Sequence, residues 1–97
     1  MISVVSLKVG DKNCLGASVS IPDSPPLLII TAEKGFVMCG FLNVEAAERL
    51  NVAAAVVSGV KTFEDVLNGQ VKAVTSKAKG LGVEVGMKGS EALLKMS

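Results

Sequence analysis

Cys39 is the residue of this chain best suited to attack a substrate. It sits near the end of an apolar run, Phe36-Val37-Met38-Cys39-Gly40-Phe41, shortly before Asn43. Asn43 has the side chain of a helix N-cap, since its oxygen can accept an orphan amide of the first turn. A thiol near a helix N-terminus ionises more readily and can act as a nucleophile or a redox group. The chain contains no His, so Ser-His-Asp and Cys-His arrangements and imidazole metal sites are closed to it. Lys61, a carboxylate or the helix dipole would have to activate the sulfur. The neighbours Val37, Met38 and Phe41 suit the plainer alternative of a packed, inert thiol.

A second stretch with chemical content is Ser58-Gly59-Val60-Lys61-Thr62. Both stretches read as strand ends leading into helix N-termini, where ligands gather in mixed and parallel sheets. Gly40 allows a backbone to approach a ligand, and Asn43 offers an amide. Gly59 can aim Ser58 and the following amides at an anion, with Lys61 as counter-charge and Thr62 at the helix start. Cys39, Gly40, Asn43, Ser58, Gly59, Lys61 and Thr62 are therefore the candidate site residues. The run looks like part of a phosphate loop but lacks the upstream glycine at the required spacing, so a nucleoside-triphosphate site is rejected. The structural alternative is that the glycines are bends and that Asn43 and Thr62 are only caps.

The other polar residues carry less. Glu45 and Glu48 share a helix face with Arg49 nearby, which suits a solvated face better than an acid/base pair or a magnesium site. Two cysteines, Cys14 and Cys39, neither build a disulfide framework nor complete a zinc site. Buried free thiols in a reducing, cytoplasmic setting are expected, with no metal and no cofactor. Lys plus Arg is 10 against 9 for Asp plus Glu, and only 3% of residues are aromatic. That balance argues against nucleic-acid binding, even with Lys72, Lys77, Lys79 and Lys88 near one another in sequence.

These groups need a scaffold, and 97 residues suffice for one domain, 1–97, with a modest core. The apolar fraction is 49% and the mean hydropathy is +0.53, more than a small monomer can hide. The longest central uncharged run, Leu50 to Val60, falls short of the ~20 residues a spanning helix needs. The N-terminal residues do not form a signal peptide, because Lys8 interrupts their apolar run and no basic segment precedes it. A homo-oligomer of the chain, with no membrane contact, is the expected outlet for the apolar surplus.

Val5, Leu7 and Val9 alternate with Ser6 and Lys8, and a second alternation runs from Asn13 to Ile21, giving a hairpin across Gly10-Asp11-Lys12-Asn13. One face of that second strand is aliphatic; Gly16, Ser18 and Ser20 on the other admit close approach by another element. Pro22-Asp23-Ser24-Pro25-Pro26 is a rigid surface loop. Residues 27–31 and 36–41 read as strands joined by a tight turn, Asn43 to Leu50 as a helix ended by Asn51, and Ala53 to Val57 as a fifth strand. That strand follows a crossover, so the third or fourth strand runs parallel to it. Thr62 caps a short helix stopped at Asn68-Gly69. Val71, Val74, Ala78 and Leu81 predict a further helix, Val83 to Val85 an edge strand, and Lys88 or Ser90 the start of a last helix. The fold expected is α+β or mixed α/β: one mixed, largely antiparallel sheet of five or six strands, in the order β-β-β-β-α-β-α-α-(β)-α, with helices packed on it.

Pro25-Pro26-Leu27-Leu28-Ile29-Ile30, Lys34 through Leu50, Ala53 to Ser58 and Gly59 to Leu67 together resemble the YunC-like small proteins of bacteria and archaea, a domain-of-unknown-function family. The resemblance spans roughly residues 25–94. One departure is Asn51-Val52, where relatives are expected to carry Gly-Asp; Asn serves the same helix-stop role. The resemblance implies a compact α/β fold and transfers no activity and no catalytic residue. Two functions are expected from the residues: a cytoplasmic oligomeric domain that binds a small molecule or a protein partner, or a small enzyme acting on an anionic metabolite with Cys39 near Ser58 and Lys61.

Overall fold

A computed structural model describes residues 2–40 and 43–97. Their elements are β1 (Ile2–Val9), β2 (Lys12–Val19), β3 (Leu27–Thr31), β4 (Gly35–Met38), α1 (Val44–Arg49), β5 (Ala53–Val56), α2 (Phe63–Asn68), β6 (Ala73–Val74), α3 (Ser76–Gly80) and α4 (Gly89–Lys95). The strands form one six-stranded sheet in the order β1-β2-β3-β4-β5-β6. Every neighbouring pair is antiparallel except β4 and β5, which run parallel with Val37 opposite Ala55. The mixed, largely antiparallel sheet is thus the one the strand patterns imply. Phe41, which the sequence reading put at the end of β4, lies outside the described residues.

Successive strand residues point to opposite faces, and the two faces of this sheet differ. Leu28, Ile30, Val37, Ala53, Ala55 and Val57 point to the inner face, where Val66 of α2 and Ala92 and Leu93 of α4 complete the main core. On the outer face Met38, Ala54 and Val56 meet Ala47 of α1, with Ile29 and Phe36 beside them. The connections after β4 and β5 therefore leave toward opposite faces.

In β2 the inner face is the small, polar one. Cys14 is buried, and a Cβ on Gly16 would lie 2.9 Å from the Phe63 ring and 2.8 Å from Leu7. The aromatic ring of α2 needs that space, which turns Leu15, Ala17 and Val19 outward. Opposite them on β1 stand Ile2, paired with Val19, and Val4, paired with Ala17. Ile2, Val4 and Leu15 remain 71%, 60% and 50% exposed, so this half of the outer face is an open apolar surface.

Helix ends follow their side chains. Asn43 Oδ1 accepts from the Glu45 amide at 2.8 Å. After α1, Asn51 adopts φ 58°, and Asn51 and Val52 donate to the carbonyls of Glu48 and Ala47. This is the paired closure that a left-handed residue makes possible at a helix end.

Two predicted elements are corrected. The helix expected through Val71, Val74, Ala78 and Leu81 is divided: Ala73–Val74 form β6 against β5, and only Ser76–Gly80 are helical. Val71 and Ala78 are fully buried, as that spacing implies, and Val74 and Leu81 are half-buried. The backbone choice was decided by β5, whose buried edge needs partners. Lys72 donates to Val56 at 2.7 Å and Thr75 to Ala54 at 3.0 Å. Val83 to Val85 is a loop rather than an edge strand: Gly82 and Gly86 adopt φ 97° and 98°, and the Gly86 amide turns back to the Val71 carbonyl at 2.9 Å. The sixth strand thus precedes the third helix.

Candidate functional site

The parallel pair β4–β5 defines the place where a ligand would gather. Beyond its carboxyl end one connection climbs to α1 on the outer face and the other descends to α2 on the inner face. A crevice opens at such a divergence because no connection crosses it. Here it is a cleft of about 170 Å³ lined by Pro25, Pro26, Cys39, Gly40, Gly59 and Val60.

Each wall has a local cause. Ile29 lies opposite Met38, so Leu28 falls beside Cys39 and the two prolines before it project past the end of β4. Cys39 continues the ladder with a substitution. Its amide donates to the Leu28 carbonyl at 3.0 Å, while the Leu28 amide donates to Cys39 Sγ at 3.3 Å. The thiol takes the place of a backbone acceptor and is 3% exposed. Gly40 faces the second loop: a Cβ there would meet Ser58 Cβ at 3.6 Å. Gly59 turns that loop with φ 73°, which favours a residue without a Cβ.

Of the candidate residues, Cys39, Gly40 and Gly59 line the cleft and Ser58 adjoins it. The others serve elsewhere. Asn43 is engaged as the α1 cap and lines instead an apolar groove of about 350 Å³ under α1, with Ile29, Phe36, Met38, Leu50 and Val52 among its walls. Thr62 Oγ1 accepts from the Asp65 amide at 3.1 Å, capping α2. The Lys61 amide donates to Asp65 Oδ2 at 3.0 Å, and Lys61 is exposed outside the cleft lining. Pro25, Pro26 and Val60 were not singled out from sequence. The β3–β4 hairpin register would have revealed the prolines, because it sets residues 25 and 26 beyond β4.

Both helix starts at this end are already neutralised. Glu45 stands in the first turn of α1 and Glu64 and Asp65 in that of α2. Carboxylates there compensate the partial positive charge of the helix end. No charged side chain lines the cleft among the described residues, and no three His, Cys, Asp or Glu side chains among them gather into a metal-ligating group. No helix of the described residues is long and apolar enough to cross a membrane. Burial pushes the Cys14 thiol above its ordinary pKa; that residue lies in the core on β2, away from the cleft lining.

Comparison with known proteins agrees with this architecture. The model of the family described as "Domain of unknown function (DUF1805)" matches residues 38–96. The uncharacterized protein YunC of Bacillus subtilis (strain 168) is 30% identical over 100 residues, covering 99% of this chain and 98% of its own. The crystal structure of a protein of unknown function, TA1206, from Thermoplasma acidophilum superposes with a TM-score of 0.92 at 30% identity, covering 100% of this chain and 94% of that one. The family match begins at Met38, the last residue of β4, and takes in the cleft loops after β4 and β5 and all four helices, and the two relatives extend the likeness over β1 to β4: the chain belongs to the YunC-like DUF1805 family.

Proposed function

We propose that this chain is a cytoplasmic, self-associating α/β domain that binds a small molecule in the cleft at the carboxyl ends of β4 and β5. The observation that carries the binding function is the position of that cleft. It lies where the two connections part, it is formed by residues from three separate segments, and two of its walls are glycines that leave backbone accessible. Self-association is supported by the outer face of β1 and β2, whose exposed Ile2, Val4 and Leu15 have no helix over them among the described residues, and by the exposed Leu50 beside the groove of α1. A standard interface takes ~800 Å² from each partner, about one-seventh of the 5570 Å² surface of this chain. A cytoplasmic location fits two buried thiols that remain unpaired.

Two measurements on the full chain test the proposal. Sedimentation across a wide concentration range is expected to give an oligomer, and a strict monomer refutes the assembly. A fragment screen read by amide NMR is expected to shift Cys39, Gly40, Gly59 and Val60 together; shifts confined to other surfaces refute the site.

A further inference from the structure

The composition of the cleft, taken with the state of the helix ends around it, restricts the chemistry of its ligand. We infer that the cleft takes a neutral, largely apolar group about the size of one aromatic ring, and not an anion; this deepens the binding site proposed above and rests on it.

Size sets the first limit. The cleft holds about 170 Å³, and an apolar cavity of about 150 Å³ elsewhere accommodates benzene. Chemistry sets the second. Among the described residues, two prolines, Val60 and two glycines make up most of the lining, and Cys39 Sγ is already occupied as acceptor for the Leu28 amide. Charge sets the third. An anion entering here would find the neighbouring helix starts capped by Asn43 and Thr62 and bordered by Glu45, Glu64 and Asp65. The Lys61 amide is spent on Asp65 Oδ2. Moving a carboxylate out of water without a hydrogen-bonded partner is strongly unfavourable, whereas a neutral ring loses little.

Three probes of one shape separate the possibilities: benzamide, benzoate and benzylammonium, titrated into the isotope-labelled full chain. The chain has no Trp or Tyr, so probe absorbance and fluorescence can be followed beside the NMR shifts. Benzamide is expected to shift the Gly40, Gly59 and Val60 resonances and to bind about tenfold more tightly than benzoate or benzylammonium, the margin set by burying the charge. Gly40→Phe, whose Cβ meets only Ser58 among the described residues and at ordinary contact distance, is expected to weaken benzamide at least severalfold while leaving the thermal transition in place. If benzoate or benzylammonium binds as tightly as benzamide, the ligand class is overturned and the binding site stands. If no probe shifts the cleft resonances, site and ligand class fall together. Unchanged benzamide affinity in folded Gly40→Phe also overturns the inference.

Discussion

Replacing Thr75 by Val keeps the shape of a side chain that is 1% exposed and removes a hydroxyl that holds two elements together. Thr75 Oγ1 donates to the Val52 carbonyl at 2.8 Å, accepts from the Ala54 amide at 3.0 Å and accepts from the Ala78 amide at 3.3 Å. The first two tie β6 to the start of β5; the third caps α3. Valine leaves two buried amides and a carbonyl without partners. Each buried donor so stranded costs ~1–3 kcal/mol. The Ala78 bond is long and belongs at the low end, and the added methyl returns ~0.8 kcal/mol. The net expectation is a loss of about 2–3 kcal/mol from a total of roughly 5–15 kcal/mol for a chain of this size. That corresponds to a melting temperature lower by about 10–20 °C. The assay is urea unfolding followed by far-ultraviolet circular dichroism, because there is no Trp to report. Protein concentration is held fixed, since assembly adds to apparent stability. Thr75→Ser keeps the hydroxyl and is expected to lose less than about 1 kcal/mol. A Thr75→Val protein within about 0.5 kcal/mol of the parent, or a serine variant as damaged as the valine one, refutes the assignment of these bonds.

Other perturbations probe the two faces of the sheet. Gly16→Val drives a side chain into Leu7 and Phe63, whose atoms would lie 2.8 and 2.9 Å from the first added carbon; a loss of about 1–3 kcal/mol is expected in the same unfolding assay. Leu15→Lys places a charge on the exposed outer face at a residue 50% exposed; under the proposed self-association it is expected to lower the mass seen in sedimentation while changing the circular dichroism little, and an unchanged mass would refute a role for this face in assembly. Burial raises the Cys14 thiol above its ordinary pKa of 9.0. Between the unfolded and the raised folded value the folded state holds a proton the unfolded state has lost. The Cys14 contribution is therefore complete below the ordinary value of 9.0 and is lost as pH rises through the raised folded value. Measured unfolding free energy is expected to decline more steeply from neutral to alkaline pH in the parent than in Cys14→Ala, and equal slopes would contradict the burial.

The residues most legible from sequence are those whose local chemistry and final environment agree. Asn43 and Thr62 cap their helices as their side chains dictate, Asn51 closes α1 in the left-handed conformation, and the crossover through α1 makes β5 parallel to β4. The segment from Val71 to Leu81 is ambiguous in sequence because the same spacing of apolar residues suits a helix and a buried strand followed by a helix. Its outcome depended on the unpaired edge of β5, far away in sequence. Val83 to Val85 shows the same limit: two apolar residues in alternation describe a strand until the glycines at 82 and 86 bend the chain.

Composition alone established the apolar surplus and excluded histidine chemistry, because both follow from which side chains exist and not from where they lie. The turn, cap and strand signals were likewise local. Tertiary structure decided which face of β2 turns inward, since Leu7 and Phe63 close over Gly16 and leave no room for a side chain there. It also decided the membership of the cleft, bringing Pro25 and Pro26 to Cys39 and Gly40 and leaving Lys61 outside the lining. Contacts between residues distant along the chain are fixed by strand register and packing, and no short stretch of sequence contains that information.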